Sequence, residues 1–210
     1  MKFESIENLI SLSVLSHLPG EKAHKLMEPI GRSELIKKAK ITHASPKKSA
    51  VMLLLYPIKG ESHLILIKRP SYPGVHSGQI ALPGGKHEDN ESMLECALRE
   101  TFEEVGVADK EIKVVGELSP LYIPPSNFLV NPFIGLSQKQ PEFIPQVSEV
   151  DEIIEMPVAH LLDDKNKGIR LFSNSMKSSI DAPYYEFNGH IIWGATAMIL
   201  SEFVQLIKNA

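Results

Sequence analysis

A layered α/β domain on a mixed sheet is predicted for these 210 residues. Short apolar runs of strand character alternate with amphipathic helical stretches across short connections, the pattern of helices packed on a sheet. One pair of runs is joined by turn residues alone, so at least two strands are antiparallel. Taken in order, residues 5–38 read as helical, with Ile6, Leu9, Ile10, Val14 and Leu18 at helical spacing and a break at Pro19-Gly20. A polar linker ends at Lys47-Lys48, and the apolar run 49–56 is a buried strand. Pro57 to Ser62 holds the turn, and His63 to Arg69 is the hairpin partner. A loop rich in Pro, Ser and Gly leads to a short strand from Gln79 to Leu82. The stretch 91–105 lacks Gly and Pro and forms one helix, with Asp89 or Asn90 as its N-cap. Residues 112–118 and 131–136 are further strands, more strand follows near 184–193, and 194–208 is a closing amphipathic helix. The chain thus divides into an N-terminal helical extension, residues 1–45, and a domain over 46–210.

Length suits one domain with elaborations. A formal net charge of -4 argues against broad nucleic-acid binding and leaves room for one local basic pocket. The run Val51-Met52-Leu53-Leu54-Leu55 is far too short to span a bilayer. The amino terminus carries Glu4 and no continuous apolar stretch, which makes a poor signal peptide. A single cysteine, Cys96, excludes an intrachain disulfide and a cysteine-rich zinc site. The expectations are a cytoplasmic protein without nucleic-acid or membrane partners. Its first 45 residues either cover one side of the core or contribute a homodimer contact.

The helix over 91–105 carries the chemistry. On a wheel of about 100° per residue with Glu100 at zero, Leu94, Leu98, Thr101, Phe102 and Val105 fall between roughly 100° and 200° and form the expected buried stripe. Glu104 falls near 40° and Glu103 near 300°, on either side of Glu100. Arg99 stands four residues before Glu103, placed for an ion pair. Carboxylates near a helix C-terminus oppose the macrodipole. Two of them about 5 Å apart repel by roughly 3 kcal/mol at an effective dielectric of about 20. A divalent cation offsets this better than Arg99 alone, and all-oxygen ligation favours Mg2+ or Mn2+. Glu100 and Glu104, one turn apart, are the best chelating pair; Glu103 is either a second ligand or the clamp for Arg99. Gly84 and Gly85 permit a tight turn that frees the Gly85 carbonyl as a further ligand. Glu91 falls near 180° and reads as a first-turn residue stabilising the loop. Cys96 reads as a small buried residue.

Gly85, Glu91, Arg99-Glu100, Glu103-Glu104 and Gly106 together stand at the spacing of the Nudix box, which this segment resembles. The resemblance implies a Nudix-type α/β/α sandwich and metal-dependent cleavage of a nucleoside diphosphate linked to another moiety. It implies catalytic roles for Glu100, Glu103 and Arg99, metal ligation by Glu100, Glu103, Glu104 and Gly85, and a small nucleotide-type substrate. The proton acceptor is Glu100 or a loop carboxylate such as Glu149 or Glu152, each of which alone reads as a solvated surface acid.

Upstream, Leu66-Ile67-Lys68-Arg69 leads through His76-Ser77-Gly78-Gln79-Ile80-Ala81-Leu82-Pro83-Gly84-Gly85, similar to the signature of the coenzyme A pyrophosphatase branch. Pro124-Pro125-Ser126-Asn127-Phe128, Asn131-Pro132-Phe133, Glu149-Val150-Asp151-Glu152 and Ile192-Trp193-Gly194-Ala195-Thr196-Ala197 extend the likeness. It implies cleavage of coenzyme A or its derivatives to 3′,5′-ADP and a 4′-phosphopantetheine product. The chain departs from the branch at Gly74, where an arginine is usual, and at Leu82, where phenylalanine is. Arg69, His76, Lys68 and Lys86 are the candidates for phosphate contacts. Trp193 with Gly194 reads as core packing and a turn into the last helix. ADP-ribose, dinucleotides and nucleoside triphosphates are alternatives that the box does not separate. A sensing module without turnover would not need the complete acid set.

Overall fold

The apolar run that opens the domain extends further than predicted and forms β1 (Lys47–Ile58). Lys59 (φ 50°) and Gly60 (φ 79°) then reverse the chain into β2 (Glu61–Lys68), a two-residue hairpin narrower than the expected Pro57–Ser62 turn. The computed structural model describes residues 1–13, 18–42, 45–71, 77–173 and 179–209. Within them follow β3 (Ile80–Ala81), β4 (Gly84–Lys86), β5 (Lys113–Glu117), β6 (Leu121–Ile123), β7 (Phe128–Leu136) and β8 (Glu152–Pro157). They form one sheet in the order β3-β2-β1-β7-β5, with β4 beside β1, β6 beside β7 and β8 beside β2. The pair β1–β7 is parallel and the others are antiparallel, so the sheet is mixed as the hairpin signal implied. A second, antiparallel sheet joins β9 (Lys167–Ser173), β10 (Ser179–Phe187) and β11 (His190–Trp193).

Alternation along β1 and β2 feeds two cores. Ala50, Met52, Leu54, Ile65 and Ile67 pack with Cys96, Ala97 and Val105 of the box helix. On the other side Leu53, Leu55, Leu64 and Leu66 pack with Ile6, Ile10, Phe203 and Leu206. The helices are α1 (Phe3–Ser13), α2 (Glu21–His24), α3 (Arg32–Thr42), α4 (Met93–Val105), α5 (Val158–Leu162) and α6 (Gly194–Lys208). With α4 on one face and α1 and α6 on the other, the architecture is the α/β/α sandwich that the resemblance implied.

The helical reading of residues 5–38 needs correction. Among the described residues three α-helices occupy this stretch: the expected break at Pro19-Gly20 is present, and a second, unexpected one falls at Pro29-Ile30-Gly31, with Gly20 (φ 56°) and Gly31 (φ 84°) in positive-φ backbone. Val14, one of the residues that carried the periodicity, lies outside the described residues.

One buried acid fastens this segment to the domain. Glu202 of α6 is fully buried and accepts from the Gly20 N–H (2.9 Å), the Ser119 N–H (3.1 Å) and the Ser119 hydroxyl (2.7 Å). His24 Nε2 lies 2.9 Å from Oε2, the oxygen that also accepts the Ser119 N–H. The Ser201 hydroxyl donates to the Ala23 carbonyl, and the Ile30 N–H donates to that of Asp181 in β10. Among the described residues no helix is long and apolar enough to cross a membrane.

Candidate active site

The box helix starts later than Asp89 or Asn90. Ser92 is the N-cap: its hydroxyl accepts the Glu95 N–H, and the Glu95 carboxylate accepts the Ser92 N–H. This reciprocal pair satisfies two donors that the first helical turn would leave unpaired. Gly106 closes the helix in left-handed backbone (φ 78°) and gives its N–H to the Phe102 carbonyl.

Small residues set the helix close to the sheet. Cys96 and Ala97 are fully buried, and β4 lies antiparallel to β1 with Gly85 opposite Ala50 and Gly84 opposite Val51. A side chain at Gly84 would overlap the Ala50 carbonyl, and one at Gly85 would overlap the Glu100 carboxylate. Backbone contact and positive φ require glycine at Gly84, whereas at Gly85 a side chain would displace the Glu100 carboxylate from its place.

The two sides of α4 are not divided as the wheel predicted. Phe102, assigned to the buried stripe, is 57 % exposed, whereas Glu104, assigned to the open face, is 1 % exposed. The buried face is centred near about 60° on the same wheel, on Ala97, Glu104 and Thr101, because contact with β4 and β1 favours small residues there. Glu104 accepts the Gly84 N–H at 2.7 Å, and Arg69 stands 3.6 Å away. Burial pushes its pKa up to about 7; Arg69 and the Gly84 N–H offset only part of that. Glu100 is half-buried and also raised, chiefly by burial, against the lowering pull of Arg99.

A third carboxylate joins them. Ligand oxygens of Glu100, Glu104 and Glu149 lie within 4.8 Å of one another. The loop bearing Glu149 is stitched to the end of α4, with Ile144 N–H donating to the Val105 carbonyl and Gln146 N–H to that of Glu104. The Glu149 N–H in turn donates to the Gln146 carbonyl. Three acids this close, one of them dry, repel unless a cation neutralises them. Such an oxygen-only cluster fits a hard divalent ion. Glu103 is outside the cluster: it is exposed and paired with Arg99 at 3.0 Å. The Gly85 carbonyl receives a long contact from the Cys96 thiol, 3.8 Å. Burial pushes that thiol up to about 12, in keeping with a packed, unreactive cysteine.

Arg99 braces the acids. It reaches Glu91 through Nε (3.0 Å) and Nη2 (2.9 Å), Glu100 at 2.9 Å, and the Lys86 carbonyl at 3.2 Å. The Arg99 hydrogen bonds hold Glu91 down at about 2, and Glu91 also accepts the Glu88 N–H. Glu91 thus anchors the loop through Arg99, which extends the stabilising role read from sequence.

The candidate phosphate contacts are distributed unevenly. Arg69 donates to the Gly84 carbonyl at 3.1 Å and faces the acid cluster. Lys68 pairs with Asp151 at 2.7 Å and with Glu152 at 3.9 Å. Lys86 is exposed and lines a cavity of about 870 Å³ that also touches Arg69, Gly84 and Gly85. His76 lies outside the described residues. Trp193 stacks on Phe172 (centroids 4.1 Å apart) and also lines the cavity.

Sequence reading undervalued Glu149 and did not include Arg32 of α3, which lines the same cavity. The Glu149-Val150-Asp151-Glu152 likeness was the available signal for the first; nothing in the spacing of Arg32 points to the site.

Comparisons with known proteins identify the family and the fold. The family described as NUDIX domain matches residues 46–174. The human protein named mitochondrial coenzyme A diphosphatase NUDT8 is 34% identical over 167 residues, covering 78% of this chain and 71% of its own. The Nudix hydrolase NudL of Photorhabdus laumondii is 29% identical over 170 residues, covering 77% and 86%. Two solved structures share the fold. The MutT/nudix family protein of Enterococcus faecalis has TM-score 0.54 and 19% identity, over 84% of this chain and 69% of that one. The MutT protein of Methanosarcina mazei Go1 has TM-score 0.52 and 18% identity, over 80% and 99%. The chain belongs to the Nudix hydrolase family and is a diphosphatase of its coenzyme A pyrophosphatase-like branch.

Proposed function

We propose that this protein hydrolyses the diphosphate of coenzyme A or a derivative, giving 3′,5′-ADP and a 4′-phosphopantetheine product, with Mg2+ or Mn2+ as cofactor. The observation that carries the reading is the convergence of Glu100, Glu104 and Glu149 beside a cavity large enough for a nucleotide-type substrate. Similarity to a relative named coenzyme A diphosphatase supports the choice of substrate.

In this reading Glu100, Glu104 and Glu149 hold the ion, with the Gly85 carbonyl as a further oxygen. When bound there, such an ion would neutralise charge on the diphosphate and make water a better nucleophile. Arg99 keeps Glu100 and Glu103 oriented, and Glu103 adds negative charge that draws a cation to the helix end. Lys86 and Arg69 meet phosphate oxygens; Lys68 acts through its pairs with Asp151 and Glu152. Glu149 is the exposed member of the cluster, the one that bulk water reaches, and it takes the proton from the attacking water. Attack forms one P–O bond, the bridging P–O bond breaks, and the leaving phosphate carries away the electron pair. Residues 46–210 are the catalytic domain, 1–45 an extension of it, and the cytoplasm the working compartment.

A substrate panel tests the proposal: coenzyme A, ADP-ribose, NADH and nucleoside triphosphates, each with Mg2+ or Mn2+. Coenzyme A should be turned over with release of 4′-phosphopantetheine. An inert coenzyme A alongside rapid turnover of another compound overturns the substrate assignment.

A further inference from the structure

We propose that Arg32, carried by the N-terminal extension, binds a phosphomonoester on the substrate remote from the diphosphate, and so selects substrates that bear one. The inference rests on the reading above, in which the diphosphate lies at the Glu100–Glu104–Glu149 cluster.

Arg32 opens α3 and lines the cavity, half-buried. Its Nη2–H donates to the Tyr122 carbonyl at 2.6 Å, which holds the guanidinium over the β6 edge of the sheet. That carbonyl is neutral. Among the described residues no carboxylate lies within 4.0 Å of Arg32, and the stretches outside them contain no Asp or Glu. Burial lowers its pKa, with Glu28 and Glu21 offsetting only part of the effect. By contrast, Arg69 and Arg99 each face a carboxylate. A desolvated guanidinium without a counter-charge, in the wall of a cavity, is a site for an anion that arrives with the ligand.

Its distance from the acids says which part of the ligand that is. Gly85 is on β4, and β1 and β7 separate β4 from β6. Three strand spacings amount to about 14 Å. The wall between is apolar, formed by Val51, Val130, Leu121 and Phe128, and suits the body of a nucleoside. A phosphomonoester on that body meets Arg32 while the diphosphate meets the acids. The extension is fixed for this purpose by the Gly20 and His24 contacts to Glu202 and by the Ile30 N–H to Asp181.

The test compares coenzyme A with 3′-dephospho-coenzyme A in the full-length enzyme with Mg2+. Arg32→Ala should raise KM for coenzyme A about ten- to a hundredfold and leave KM for the dephospho compound unchanged, with Arg32→Lys recovering part of the loss. Calorimetry on the unmodified enzyme should show adenosine 3′,5′-bisphosphate binding more tightly than AMP, a preference that Arg32→Ala removes. Equal changes for both substrates, or no preference for the bisphosphate in the unmodified enzyme, overturns the inference. If neither coenzyme A compound is hydrolysed, the substrate reading fails, and the bisphosphate–AMP pair still decides the role of Arg32.

Discussion

Two glutamates of this protein are buried to the same degree and end in opposite electrostatic states. Glu104 on α4 is 1 % exposed and Glu202 on α6 is 0 % exposed. Burial raises both. At Glu202 the hydrogen bonds from His24 and Ser119, with help from Gly20, outweigh it, and the carboxyl stays below its usual range. At Glu104 one backbone N–H and an arginine 3.6 Å away do not, and the pKa rises to about 7. A satisfied buried acid is a structural bolt; an under-compensated one beside two other acids is charge waiting for a cation.

The largest effect expected from this contrast is at Glu104. Glu104→Gln keeps an acceptor for the Gly84 N–H and removes the charge, so turnover with Mg2+ should fall about a thousandfold while the fold is retained. The same variant checks the pH dependence in chelator-treated protein. A folded pKa of about 7 against the usual 4.5 of a glutamate means that below 4.5 both states are protonated and Glu104 costs nothing. As pH rises from there through 7, the unfolded chain ionises first and stability declines, by roughly 3 kcal/mol in all. Melting curves of wild type should therefore drop below those of Glu104→Gln as pH rises from 4.5 to 8, and Mn2+ should restore wild type alone. Parallel curves across that range would put Glu104 in the same class as Glu202.

At Glu202 the expectation reverses. Glu202→Ala leaves His24, Ser119 and the Gly20 N–H without their acceptor and should cost about 3 kcal/mol, a fall in Tm of about 10 °C. The hydrogen-bond partners of Glu202 are Gly20, His24 and Ser119 and none of the clustered acids, so kcat of the folded fraction should stay within about twofold. A folded variant without turnover would erase the distinction.

The difference between these two acids was only half legible in the sequence. Strong local signals carried through: the β1–β2 hairpin, the Gly- and Pro-free stretch of α4, and α6. The acids of the box were found by spacing, but their states depend on partners far away in the chain. Glu202 is set by residues 83 and 182 positions distant, and Glu149 joins Glu104 through a loop without regular structure. The strand β8 (Glu152–Pro157) went unread because its sequence, interrupted by Glu155 and closed by proline, becomes a strand only by pairing with β2. Arg32 lines the cavity because the segment breaks a second time, at Pro29-Ile30-Gly31, a turn that the apolar periodicity of residues 5–38 concealed; the break at Pro19-Gly20 was legible.

The smallest effect bears on the same contrast through the rotation of α4. Apolar periodicity predicted that Leu94, Leu98, Thr101, Phe102 and Val105 face the core, which would leave Glu104 open. In the structure the helix is turned so that Ala97, Thr101, Glu104 and Val105 are buried and Phe102 is 57 % exposed. Phe102 and Glu104 are about 160° apart on the wheel, so one is buried at the expense of the other. Hydrophobicity alone favours burying Phe102; the small side chains of Cys96 and Ala97, which let the helix settle against β4 and β1, favour the opposite face. Phe102→Gln should then change unfolding free energy by no more than about 0.5 kcal/mol in denaturant titrations, as at an exposed helix position. A loss of about 3 kcal/mol or more would mean that Phe102 is a core residue. The helix would then be rotated, Glu104 would be solvated, and its resemblance in burial to Glu202 would disappear.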